Sequence, residues 1–173
     1  HCISVIGAKK CIFGAEVMAA VAEVQEELDL ASGADFLFVN DIAIAEAKCP
    51  DWALSLDNLQ QATEDSNPPE TGDNTIGDTA LYIYTSGTTG LPKAAVMSNR
   101  RYLMSADMSG SAGLKTKPGN RIYLCLPLYH ATGLLLGVGS SLTSGASMFV
   151  RRKFSASAFR SDIRDNNCTH MVY

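Results

Sequence analysis

A chain of 173 residues with 46% hydrophobic side chains is long enough for one ordinary globular unit, burying about two-thirds of its unfolded surface. Its net charge of −4 conceals an asymmetry, −12 over residues 1–80 against +8 over residues 81–173, so the second half suits a polyanion or, equally, attraction to the first half. The basic clusters Arg100-Arg101 and Arg151-Arg152-Lys153 are short and lack interleaved stacking aromatics, which excludes a nucleic-acid module, and no signal peptide is visible.

The chain opens at His1-Cys2-Ile3 without methionine and stops inside the apolar run Met171-Val172-Tyr173, so it reads as an excerpt from a longer protein. Five widely spaced cysteines (Cys2, Cys11, Cys49, Cys125, Cys168) without a Cys-x-x-Cys pattern read as reduced thiols of an intracellular protein. Cys11-Ile12-Phe13 predicts a strand, and Ala15 to Leu30 predicts a helix with Val17, Val21, Val24 and Leu28 on one face. Glu16, Glu23, Glu26, Glu27 and Asp29 mostly avoid that face and read as a solvated surface rather than a metal site. Ser32-Gly33 ends the helix, and Phe36-Leu37-Phe38-Val39 has strand length and composition. Residues 1–61 therefore form a β-α-β portion of the α/β class. Residues 62–80 are a polar surface connection, with Pro68-Pro69, five acidic side chains and no basic one.

Residues 81–98 place two glycines, a run of hydroxyls and a lysine between two apolar segments. Ala80 to Tyr84 and Ala94 to Met97 read as strands, which leaves Thr85 to Lys93 as the loop between them. Gly87 and Gly90 permit positive φ and close backbone approach, so that successive N–H groups can converge on one anion. Thr85, Ser86, Thr88 and Thr89 add hydroxyls, Lys93 adds a cation, and Pro92 fixes φ beside it. The alternative is an ordinary Gly/Thr turn. A Walker A loop is excluded, because Leu91-Pro92 separates Gly90 from Lys93.

After the loop, Ser98 or Asn99 can cap a helix through about Met108, with Tyr102, Leu103 and Ala106 available to a core, and Gly110 to Gly119 ends it. Arg121 to Pro127 predicts a strand running straight into Leu128-Tyr129-His130-Ala131-Thr132-Gly133, and a strand end before a helix is where ligands collect in α/β sheets. His130 is either a site residue there or a helix-capping or core histidine. Residues 131–150 are apolar, but their glycines and hydroxyls argue against a membrane span and for a buried helix to about Leu142, a Gly145 turn and a strand from Ala146 to Val150. Ser155 can cap a helix carrying Phe159 and Ile163, and Thr169 to Tyr173 starts one more strand.

The string Thr85-Ser-Gly-Thr-Thr-Gly-Leu-Pro-Lys93 resembles the AMP-binding signature of the adenylate-forming superfamily. Pro92-Lys-Ala-Ala95, Cys125-Leu-Pro-Leu-Tyr-His130 and Phe149-Val-Arg-Arg-Lys-Phe154 are most similar to very-long-chain acyl-CoA synthetases, also called fatty acid transport proteins. The resemblance implies an α/β fold that is part of the large N-terminal domain of such synthetases, with mixed sheets flanked by helices. Residues 81–173 would supply its phosphate-loop and acyl-pocket portion. It implies that Tyr84, Thr85, Ser86, Gly87, Thr88, Thr89, Gly90, Leu91, Pro92 and Lys93 hold the phosphates of ATP or AMP. Tyr129 and His130 would line the acyl pocket, with His130 catalytic.

The implied reaction joins a fatty acid to coenzyme A at the expense of MgATP, through an acyl adenylate, releasing AMP and pyrophosphate. The adenine, ribose and Mg²⁺ elements of that superfamily and its C-terminal lysine have no counterpart in these residues, so the stretch alone is expected to be inactive and to hold no metal ligand. Two alternatives stand beside the ligase: a fatty acid uptake protein with secondary ligase activity, and an adenylation enzyme for another carboxylic acid. Membrane association, at the endoplasmic reticulum or peroxisome, would come from sequence outside this stretch.

Overall fold

The computed structural model describes residues 1–40, 47–85 and 90–173. Two compact units can be recognised, one built chiefly of His1–Gly72 and the other of Asp73–Thr85 with Ala95–Tyr173.

In the first unit a single helical turn, α1 (Cys2–Val5), precedes β1 (Cys11–Gly14), which buries Cys11 and Phe13 and exposes Ile12. That alternation is what a strand with one covered face requires. β1 pairs in parallel with β2 (Phe36–Val39), Cys11 opposite Phe36 and Phe13 opposite Phe38, and β2 pairs in parallel with the short β3 (Leu54–Ser55). The covered face is aromatic: Phe13 stacks on Trp52 at 5.1 Å and meets Phe38 edge-on at 5.8 Å, while Phe36 meets Trp52 edge-on at 5.4 Å.

A parallel pair needs a crossover, and the single helix expected from Ala15 to Leu30 does not form. The stretch breaks into a 3-10 turn at Ala15–Val17, α2 (Met18–Ala22) and a second 3-10 turn at Gln25–Glu27, none with a side-chain cap. Glu23, Glu26, Glu27 and Asp29 fall at i,i+3 and i,i+4 spacings with no basic side chain among them, so a continuous helix would stack like charges. Ala15, Met18, Val21 and Leu28 pack on the core, whereas Val17 and Val24 stay exposed. Beyond β3, α3 (Leu56–Gln61) starts at Ser55, whose hydroxyl accepts the Asn58 amide at 3.3 Å. Residues 62–78 are exposed throughout and carry one 3-10 turn at Pro69–Asp73.

β4 (Thr79–Thr85) and β5 (Lys93–Ser98) form a two-stranded sheet, and β4 with β5 from Ala95 onward opens the second unit. α4 (Asn99–Met108) follows, its first turn capped by Ser98 Oγ accepting the Arg101 amide at 3.3 Å. Ala106 is fully buried, while Leu103, expected in the core, is 49% exposed. Nor does the helix stop at Gly110. It widens into a π-helical segment, Ser109–Leu114, and ends at Lys115 in the left-handed region. Gly110 serves packing instead of termination: a methyl there would lie 3.2 Å from Thr143 Oγ1 and 3.4 Å from the Ser140 backbone.

β6 (Arg121–Leu124) then runs through the middle of a parallel sheet, with Ile122, Tyr123 and Leu124 wholly buried. It is shorter than the expected strand to Pro127: its pairing reaches Leu124, opposite Val150 and Val172. A π-helical segment, Thr132–Val138, leads into α5 (Gly139–Ser144), and Gly145 at φ +71° ends it with the left-handed turn that only glycine takes without strain. β7 (Ser147–Val150), α6 (Phe159–Asp165) and β8 (His170–Val172) complete a sheet of order β7-β6-β8. Leu124 packs on Gly137 on one face, and Tyr123 meets Phe159 of α6 at 5.4 Å on the other, so helices cover both faces. No helix among the described residues is long and apolar enough to cross a membrane.

Candidate functional site

Tyr84 and Thr85 are the last residues of β4, Tyr84 half-buried and Thr85 exposed. Ser86, Gly87, Thr88 and Thr89 lie outside the described residues. Gly90 has φ +150°, and a Cβ there would meet no atom within 4 Å, so backbone conformation and not crowding calls for glycine. Leu91 is exposed, Pro92 half-buried, and Lys93, also exposed, begins β5. Gly90 to Lys93 group with the first unit.

Tyr129 and His130 belong to the second unit, in the turn that leaves the C-terminal end of β6. Tyr129 is 84% exposed. The turn is held by its own main chain: the His130 amide donates to Pro127 O at 3.1 Å, and the Leu134 amide donates to His130 O at 3.0 Å. The His130 ring is engaged as well, its Nδ1 accepting the Thr132 amide at 3.2 Å.

Beside this turn the end of β7 continues the ladder by one residue, the Arg151 amide donating to Leu124 O at 2.8 Å. The Arg151 guanidinium pairs with Asp162 Oδ1 at 3.3 Å, and Asp162 Oδ2 accepts from the Tyr123 hydroxyl at 3.4 Å. One carboxylate on α6 thus ties together the ends of β6 and β7. Burial, and next the neighbouring Asp162 charge, push the Tyr123 hydroxyl above its ordinary pKa, so it stays a proton donor. Sequence reasoning missed this network. Its signal was Asp162 between Phe159 and Ile163, a carboxylate on the apolar face of a short helix. Among the described residues no three His, Cys, Asp or Glu side chains come together as a metal site.

The family model described as "AMP-binding enzyme" matches residues 1–173. Long-chain fatty acid transport protein 1 of Homo sapiens is 39% identical over 173 residues, covering 99% of this chain and 26% of that protein. Medium/long-chain-fatty-acid–CoA ligase FadD6 of Mycobacterium tuberculosis is 36% identical over 173 residues, covering 100% of this chain and 26% of that protein. Among solved structures, the inhibitor-bound N-terminal domain of FACL13 from Mycobacterium tuberculosis superposes with a TM-score of 0.76 at 20% identity, covering 98% of this chain and 38% of that one. The anthranilate CoA ligase AuaEII in complex with anthranoyl-AMP gives 0.76 at 19% identity, covering 95% and 30%. At such identities the structures establish the fold. The chain spans about a quarter of the length of the curated relatives it matches.

Proposed function

The chain belongs to the AMP-binding enzyme family, and we propose that it is part of an ATP-dependent, AMP-forming fatty acyl-CoA ligase. The observation that carries the substrate class is its match, along essentially its whole length and at 39% and 36% identity, to two proteins whose names specify long-chain fatty acids. In this reading residues 1–61, 62–80 and 81–173 are a β-α-β portion, a polar connection and a phosphate-loop and acyl-pocket portion of one larger N-terminal domain.

A fatty acid carboxylate oxygen would attack the α-phosphorus of MgATP, forming the acyl–phosphate bond as the bridging bond to pyrophosphate breaks. The thiol of coenzyme A would then attack the acyl carbonyl and release AMP. Little of the first step is covalent work for the protein, so positioning and charge stabilisation dominate. The loop from Tyr84 through Lys93 supplies main-chain and hydroxyl donors and one cation to the phosphates, and Tyr129 with His130 flanks the acyl group. The described residues offer no cluster that fits Mg²⁺, which enters as part of MgATP. Attachment to a membrane would be made by other parts of the longer protein.

The 39% identical relative carries a transport name, which supports a second reading: uptake with ligation secondary. A panel of fatty, aryl and amino acids, scored by pyrophosphate release on the longer protein, tests the proposal. Release with long-chain acids above the others is expected, release confined to aryl or amino acids would reassign the substrate, and no release would favour uptake.

A further inference from the structure

We infer that the main-chain amide of Thr132 selects, for the neutral His130 ring, the tautomer with its proton on Nε2, so that the ring offers substrate a hydrogen-bond donor and not a base. The kinetic half of this inference rests on the function proposed above; the tautomer itself does not.

A backbone N–H can donate to Nδ1 only if that nitrogen keeps its lone pair, and the Thr132 amide lies 3.2 Å from it. In the other neutral tautomer Nδ1 carries the proton, which would set two N–H groups against each other. The form left has its proton on Nε2, and among the described residues nothing else bonds this exposed ring. A carboxylate or phosphoryl oxygen approaching Nε2 therefore meets N–H.

The turn is built so that this contact is hard to avoid. The His130 amide reaches back to Pro127 O at 3.1 Å, and the chain then doubles over it so closely that a Cβ on Gly133 would lie 2.3 Å from Pro127 O, 3.0 Å from Pro127 C and 3.2 Å from Leu126 O. These are main-chain atoms that cannot swing aside. Any side chain at position 133 must push the start of the following helix away from Leu126 and Pro127, and the Thr132 amide moves with it. Gly133 is thus a positioning residue for the His130 ring.

The test is nitrogen-15 spectroscopy of the imidazoles in the longer protein, labelled selectively at histidine and threonine, with His130→Gln identifying the resonance. At neutral pH the His130 proton is expected on Nε2, with a scalar coupling from the Thr132 amide nitrogen into Nδ1. A proton on Nδ1, the averaged tautomers of a free ring, or no coupling would overturn the inference. Gly133→Ala should abolish the coupling and return the ring to averaged tautomers; a folded variant that keeps the coupling would overturn the role of Gly133, and if the variant does not fold, the wild-type coupling decides. In the longer protein His130→Gln, which retains an N–H donor, should keep acyl-adenylate formation within about tenfold of wild type, whereas His130→Ala should lose about a hundredfold or more. Equal losses in the two variants would overturn the donor role. An intact coupling with no loss in His130→Ala would leave the tautomer standing and overturn the placement of His130 in the reaction.

Discussion

Replacing Asp162 with alanine separates the energetic roles of the two groups it joins. The Tyr123 hydroxyl is on a residue with no exposed surface, and Asp162 Oδ2 at 3.4 Å is its acceptor, so truncation strands a buried donor at a cost of about 1–3 kcal/mol. The Arg151 side chain is 35% exposed and can hydrate, so losing its 3.3 Å partner adds only about 0–1 kcal/mol. Asp162→Ala should therefore destabilise by about 1–4 kcal/mol, whereas Asp162→Asn, which still accepts from Tyr123, should cost about 1 kcal/mol or less. In a Tyr123→Phe background no donor is left to strand, and the cost of Asp162→Ala should fall by about 1–3 kcal/mol. Urea denaturation of the four variants, followed by near-ultraviolet circular dichroism, measures the cycle. An equal cost of Asp162→Ala in both backgrounds would refute the pairing.

Three further outcomes follow from other parts of the molecule. The Asp35 carboxyl is held below its ordinary pKa chiefly by the Lys10 ammonium at 2.6 Å and then by the Ala31 amide, so its contribution is fully present above the usual carboxylate range and lost as pH falls through the folded pKa; Asp35→Asn should remove that acid limb from a stability–pH profile. Gly139→Ala would bring a Cβ within 2.6 Å of Ala106 Cβ and should cost about 1–3 kcal/mol in urea, with Ala106→Gly restoring most of it. Lys93→Ala in the longer protein should slow ATP-dependent adenylation about ten- to a hundredfold, the worth of one charge-assisted phosphate contact, and unchanged kinetics would remove Lys93 from the site.

What could be read from the chain beforehand was local and periodic. β2, the Ser98 cap of α4, the Gly145 turn and the strand after it follow from composition, one hydroxyl or one backbone conformation, signals that act over a few residues. Misreadings arose where a neighbour decides. Gly110 looked like a helix stop but is a close-approach residue for the chain at Ser140 and Thr143, which sequence order does not place beside it. β6 ends at Leu124, short of the apolar run that follows it, and the helix after β1 breaks because like-charged carboxylates outweigh an apolar face that only partly reaches the core. β3 and α3 were missed although Ser55 carried a capping signal. In the site, residue types and spacing pointed to Thr85, Lys93 and His130, but no local pattern could say that the Thr132 amide binds His130 or that Asp162 joins Tyr123 to Arg151.

The account stands most directly on whether the fatty acid is activated as an adenylate. The longer protein should be given palmitate labelled with oxygen-18 in its carboxylate, together with MgATP and coenzyme A, and the nucleotide product analysed by mass spectrometry. One labelled oxygen in AMP, formed with pyrophosphate and acyl-CoA, is the predicted result. Unlabelled AMP, or label appearing in inorganic phosphate with ADP as product, would contradict it.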